Sequence, residues 1–145
     1  MITNESLEAL KEIFGKRKVV LAYLFGSQAE GTARASSDID LAVLLSPNLT
    51  TAERFRTQLK LIDECGDVFQ RSEVDVVILN EASPLLAYEV VKHGKLLYED
   101  EATHPAVDFA VYTLSRYADT IPFRRLQNQY LFEHIRRHKS ARASG

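Results

Sequence analysis

A chain of 145 residues with 46% hydrophobic and 26% charged side chains has the composition of one soluble globular domain with a core of its own. Its net charge of −2 supplies no bulk attraction for nucleic acid, and its single cysteine, Cys65, excludes a disulfide within the chain and matches a reducing cytoplasm. No apolar run approaches the ~20 residues of a membrane span, and the polar, acidic stretch from Met1 to Lys11 does not read as a signal peptide.

In chain order, Asn4 to Phe14 reads as a helix, with Leu7, Leu10, Ile13 and Phe14 on one stripe and Gly15 as its stop. The basic run Lys16-Arg17-Lys18 reads as a solvated connection, with steering of a nucleotide as its functional alternative. Val19 to Phe25 is a buried strand, Thr32 to Ser37 a small polar loop containing Arg34, and Asp38 to Leu45 a second strand. After the turn at Pro47-Asn48, Thr50 and Glu53 have capping-box spacing. The helix they open runs to Phe69, its expected core stripe being Phe55, Leu59, Ile62, Cys65 and Phe69, with Gly66 as a weak point.

Val74 to Leu79 is a third strand, in which Asp75 is out of place unless it has a task or a partner. Ser83 caps a helix that Pro84 opens, Leu85, Leu86, Val90 and Val91 pack, and Gly94 ends it, with His93 set against the last carbonyls. Lys95 to Tyr98 is a short closing strand. The last third is helical: a stripe of Val107, Ala110, Val111, Leu114 and Tyr117, a break at Thr120-Ile121-Pro122, then a stripe of Phe123, Leu126, Tyr130, Leu131 and Ile135 with a basic flank. Those stripes either cover the sheet or form a partner surface, and Ser140 to Gly145 reads as a frayed end.

The chemistry concentrates between Leu24 and Leu41. Gly26 permits a sharp turn and a close backbone approach, and Ser27 adds a hydroxyl beside the turn's amides, an arrangement suited to an anion. Asp38 and Asp40 are two apart on a strand and share one face, while Ile39 and Leu41 point into the core. Adjacent carboxylates repel, so a divalent cation is their natural companion, and the alternation of Val74, Val76 and Ile78 lets Asp75 join that face if its strand lies alongside.

Gly26-Ser27, Gly31 and Ser37-Asp38-Ile39-Asp40-Leu41 resemble the signature of the polymerase-β-like nucleotidyltransferases, and the compact form G-S-x-A-x-G-x(5)-S-D-I-D-L resembles their minimal nucleotidyltransferase (MNT) branch, as does the Val90-to-Glu99 segment. The resemblance implies an α/β (α+β) fold: a small mixed sheet with flanking helices, residues 1–100 forming the nucleotidyltransferase core and 101–145 a C-terminal helical extension. It implies Asp38, Asp40 and Asp75 as catalytic and metal-holding residues for two Mg²⁺ ions, and Gly26, Ser27, Gly31 and Ser37 as the phosphate-binding set for ATP. It also implies a cytoplasmic antitoxin, in a homo- or hetero-oligomer, that transfers AMP to a tyrosine of a HEPN-domain RNase toxin; the toxin's own Arg-x(4–6)-His motif is missing from this chain. Glu30 departs from the Gly-Ser-x-Ala-Arg-Gly form of relatives. Two alternatives stand beside this expectation. One is transfer to a small molecule such as an aminoglycoside, for which residues 99–145 offer little chain to build an acceptor domain; the other is a binding antitoxin that acts by contact alone.

Overall fold

The computed structural model describes residues 2–26, 39–70 and 73–144. Within them the order is α1 (Asn4–Lys16), β1 (Val19–Phe25), β2 (Ile39–Leu45), α2 (Thr51–Phe69), β3 (Val74–Ile78), a 3₁₀ turn (Leu79–Glu81), α3 (Pro84–His93), β4 (Lys95–Glu99) and α4 (Ala106–Ser144). The strands form one mixed sheet in the order β3-β2-β1-β4, with β1 antiparallel to β2 and β4, and β2 parallel to β3. The short β1–β2 connection permits antiparallel pairing, whereas parallel β2 and β3 require the long crossover that α2 supplies.

Strand alternation divides the sheet into two buried faces. One carries Ala22, Leu24, Ile39, Leu41, Val74 and Val76, covered by Leu10 and Phe14 of α1 and by Leu61 and Cys65 of α2. The other carries Leu21, Tyr23 and Ala42, covered by Ala87 and Val90 of α3 and Phe109 of α4. The helix starts follow their side chains. Thr3 Oγ1 accepts from Ser6 N, Thr50 and Glu53 close a reciprocal capping box, and Ser83 Oγ accepts from Leu86 N ahead of Pro84. Those bonds to Thr50 hold the Glu53 carboxyl below its usual range.

Four expectations change. Helix α1 runs through Gly15 to Lys16, and Arg17 caps it through a backbone bond to Ile13 O. In α2 the buried row is Leu61 and Cys65, with Ile62, Val68 and Phe69 partly buried, whereas Phe55 and Leu59 are exposed. The first half of α2 meets the sheet through polar groups: Gln58 Nε2 donates to Val76 O at 2.7 Å, and Arg54 donates to Leu49 O and Glu81. Leu85, read as packed in α3, is likewise exposed.

The fourth change is the largest. Pro122 does not break the C-terminal helix; α4 is continuous over 39 residues. A proline removes one helical donor and crowds one carbonyl, which bends a helix without ending it when flanking turns hold. Here Thr120 Oγ1 donates to Tyr117 O at 2.7 Å in the turn before it. Tyr117 itself stacks on Tyr88 of α3 with ring centroids 3.7 Å apart, Lys92 sits over Tyr88, and Arg124, two residues beyond the proline, lies 4.4 Å from the Tyr117 ring.

Cys65 is fully buried, and burial, aided by Glu64, pushes its thiol up to about 12. It is expected to resist Ellman's reagent in the native protein at pH 8 and to react fully in urea; rapid native labelling would show that α2 lifts from the sheet.

Candidate functional site

The antiparallel ladder between β1 and β2 ends with Phe25 opposite Asp40, and Gly26 follows as the first turn residue. Gly26 has φ +76°, the left-handed region that glycine enters without steric cost. A Cβ at Gly26 would stand 2.6 Å from Asp40 Oδ2, so the turn's backbone lies directly against that carboxylate. The two halves of the sequence motif are therefore in contact through Gly26 and Asp40.

On the other side of Asp40 the parallel register pairs it with Asp75, flanked by the pairs Ile39↔Val74 and Leu41↔Val76. Directly paired residues on neighbouring strands, about 4.8 Å apart, point to the same face. Phe25, Asp40 and Asp75 thus form one row across the sheet, on the face that α3 and α4 cover further along. Asp40 is half-buried and Asp75 is exposed. Ile39 and Leu41, one residue either side of Asp40, are buried on the opposite face, as the alternation predicts. Tyr23, one pair behind Phe25, has its hydroxyl pKa raised by burial and then by Glu99.

Helix α3 ends at this same end of the sheet. Gly94 takes an extended conformation as its cap, a Cβ there would overlap the Val90 carbonyl oxygen and lie 3.3 Å from Leu24 O, and β4 then starts with Lys95 opposite Leu24. His93 pairs with Glu89 at 3.5 Å. The basic run before β1 sits at the other end of the strand, roughly 20 Å from Gly26 by strand rise. There Arg17 binds Glu64 at 2.5 Å, and Lys16, Lys18, Arg56 and Lys60 border a separate cleft of about 250 Å³. That position puts the run outside contact with the Gly26 turn.

Asp38, Ser27, Gly31, Ser37 and Glu30 lie outside the described residues. Among the described residues no group of three His, Cys, Asp or Glu side chains is gathered, and Asp40 and Asp75 form a pair. Two aligned carboxylates at a solvent-facing sheet end are hard oxygen donors, which suits Mg²⁺ with retained waters and does not suit a soft metal. The sequence reading missed two things: that Gly26 makes steric contact with Asp40, and that Tyr88 and Tyr117 stack. The glycine in a Gly-Ser turn signals the first; nothing local signals the second.

A mixed four-stranded sheet with a glycine turn against paired strand aspartates is the architecture of a nucleotidyltransferase. The family model for the polymerase β nucleotidyltransferase domain matches residues 8–103, and the chain belongs to that family. Within it, the chain is 39% identical over 100 residues to the protein adenylyltransferase MntA of Shewanella oneidensis, an alignment covering 69% of this chain and 67% of the relative. A crystal structure of a toxin–antitoxin with AMP-PNP superposes with a TM-score of 0.69 at 30% identity, covering 87% of this chain and 98% of that one. A tri-AMPylated Shewanella oneidensis HEPN toxin in complex with its MNT antitoxin matches with a TM-score of 0.65 at 28% identity, covering 88% and 97%. No helix among the described residues is long and apolar enough to cross a membrane.

Gly26→Ala tests the geometry. The substitution forces an L side chain into a left-handed conformation, at a cost of about 1 kcal/mol or more, and drives its methyl into Asp40. The melting temperature is expected to fall by a few degrees, and nucleotidyl transfer to fall by far more than the stability loss explains.

Proposed function

We propose that the protein is an ATP-dependent adenylyltransferase that transfers AMP to a tyrosine of a cognate HEPN-type toxin, and so acts as an antitoxin. The observation that carries this reading is the Gly26 backbone packed against Asp40 with Asp75 in register beside it. The AMP-PNP complex and the AMPylated toxin complex among the structural neighbours support nucleotide and acceptor class. Cytoplasmic location belongs to the same reading and agrees with one buried, reduced cysteine.

In this reading Gly26, Ser27, Gly31 and Ser37 receive the β- and γ-phosphates, and the absence of a Cβ at Gly26 lets its backbone approach them closely. Asp38, Asp40 and Asp75 would hold two Mg²⁺ ions, the carboxylates serving as oxygen ligands. When bound, the metal neutralises phosphate charge and stabilises the attacking and leaving oxygens. The acceptor tyrosine oxygen forms a bond to the α-phosphorus while the α–β phosphoanhydride bond breaks in line, and pyrophosphate departs with the bonding pair. Asp75 takes the phenolic proton in this reading, which its exposure beside Asp40 supports. Phe25 flanks Asp40 on the side away from Asp75.

Mass spectrometry of the toxin after incubation with this protein, ATP and Mg²⁺ tests the reading. AMP-sized additions on a toxin tyrosine are expected, and none with Asp38→Ala or Asp40→Asn. Equal neutralisation by Asp38→Ala with no modification would replace catalysis by contact inhibition. Modification of an aminoglycoside with an untouched toxin would replace the protein acceptor by a small molecule.

Metal dependence is separable from transfer. Calorimetry is expected to show ATP binding with Mg²⁺ and a large loss of affinity with EDTA; equal affinity in both would sink the paired-carboxylate site. Without metal, Asp40→Asn relieves repulsion from a directly opposed carboxylate, an effect of at most about 1 kcal/mol. The variant is therefore expected to keep its melting temperature or gain up to about 3 °C. A large drop would show Asp40 to be a structural residue.

A further inference from the structure

Helix α4 has two parts with different surroundings. Its first part, from Ala106 to Arg124, is anchored: Ala106 N donates to Glu99 Oε1, Phe109 and Thr113 are buried, and Tyr117 and Arg124 join the stack on Tyr88. From Arg125 to Arg137 every residue is exposed. This stretch is nevertheless rich in large apolar side chains: Leu126, Tyr130, Leu131, Phe132 and Ile135 are each more than half exposed. With Phe123, also exposed, Leu126 and Tyr130 fall at i, i+3 and i+7; Leu131 and Ile135 form an adjoining i, i+4 row. Such anchor spacing is that of a helix laid into another protein's apolar groove.

We propose that residues 123–137 of α4 are a docking arm for the acceptor protein, holding a partner whose apolar groove is rimmed by acidic groups. The inference rests on the proposed function for the partner's identity. Three observations select this occupant. First, the likeness to the toxin–antitoxin structure with AMP-PNP takes in 87% of this chain, more than residues 1–105 can supply, whereas the family model stops at residue 103. Part of α4 is thus shared with a chain crystallised in such an assembly, although it lies outside the nucleotidyltransferase domain. Second, Arg125, Arg136 and Arg137 face a single acid, Glu133, in this stretch of a chain with net charge −2. That excess of arginine opposes self-pairing of two arms and favours an acid-rimmed partner. Third, a helix draws most of its stability from packing, and the exposed Leu126, Leu131, Phe132 and Ile135 obtain theirs from another molecule. The arm is rooted on the sheet face that carries Asp40 and Asp75, so a partner bound to it is tethered to the catalytic face.

The test uses the full chain with Leu126→Gln, Tyr130→Gln and Ile135→Gln together, which keeps helix-forming residues, and separately Arg125→Glu, Arg136→Glu and Arg137→Glu. None of these positions touches the core or the site. For the glutamine variant, binding to the cognate HEPN toxin by calorimetry is expected to weaken at least tenfold, KM for toxin to rise in step, and kcat and ATP–Mg²⁺ affinity to stay within twofold. The charge-reversed variant is expected to weaken binding most at low salt. Toxin binding within twofold of the parent by the glutamine variant would overturn the arm. So would light scattering that shows a dimer of the parent alone which the glutamine variant converts to monomer, since the surface would then belong to a second copy. If the parent binds toxin through the arm but leaves it unmodified, the catalytic reading fails while the docking arm stands.

Discussion

The pairing of β1 with β2 is the constraint on which the site depends. The ladder ends at Phe25 opposite Asp40, and the next residue must turn in the space beside that carboxylate. Only a residue without a Cβ and with access to positive φ fits, because a methyl group would stand 2.6 Å from Asp40 Oδ2. The hydrophobic alternation that buries Ile39 and Leu41 sends Asp40 to the opposite face. A slip of one residue in β2 would bury the carboxylate and expose the core, so the register that stabilises the fold also aims the site.

The same logic explains how much was legible in the sequence. β1 is read with its true bounds, because seven consecutive apolar residues between a basic run and a glycine leave little freedom. The N-caps Thr50 and Ser83 are readable because each is local, a hydroxyl three residues from the amide it accepts, whereas Thr3, which caps α1 in the same way, is not read. The α2 stripe is mis-phased because Phe55 and Leu59 have helical spacing but the sheet edge beside them is met by Gln58 and Arg54; periodicity reports amphipathicity, not which polar group finds a carbonyl. Pro122 reads as a stop because the rule is local, while the stack that holds both sides of it joins residues 88, 117 and 124.

For the site, alternation alone puts Asp40 and Asp75 on one-sided strands, but their pairing depends on a parallel register set by residues far apart in sequence. The basic run before β1, read as a solvated connection, lies a seven-residue strand away from the Gly26 turn, and Arg17 in it pairs with Glu64. Two pieces of the molecule therefore divide the work. A sheet end fixes the chemistry through covalent neighbours and register, and α4, beyond the matched family region, supplies surface that the chemistry does not constrain.

The parallel pairing of β2 with β3 also sets the order in which the molecule becomes competent. An antiparallel hairpin closes over a short loop, but Asp75 reaches Asp40 only after α2 has formed and the chain has folded back across 35 positions, since Asp40 pairs with residue 75. The opposed carboxylates are thus joined by a long-range contact, which carries a larger loop-closure entropy cost than the hairpin beside it. A nascent chain released before β3 has emerged carries the signature motif but not its third carboxylate, so synthesis itself withholds the complete site until the sheet can close around it.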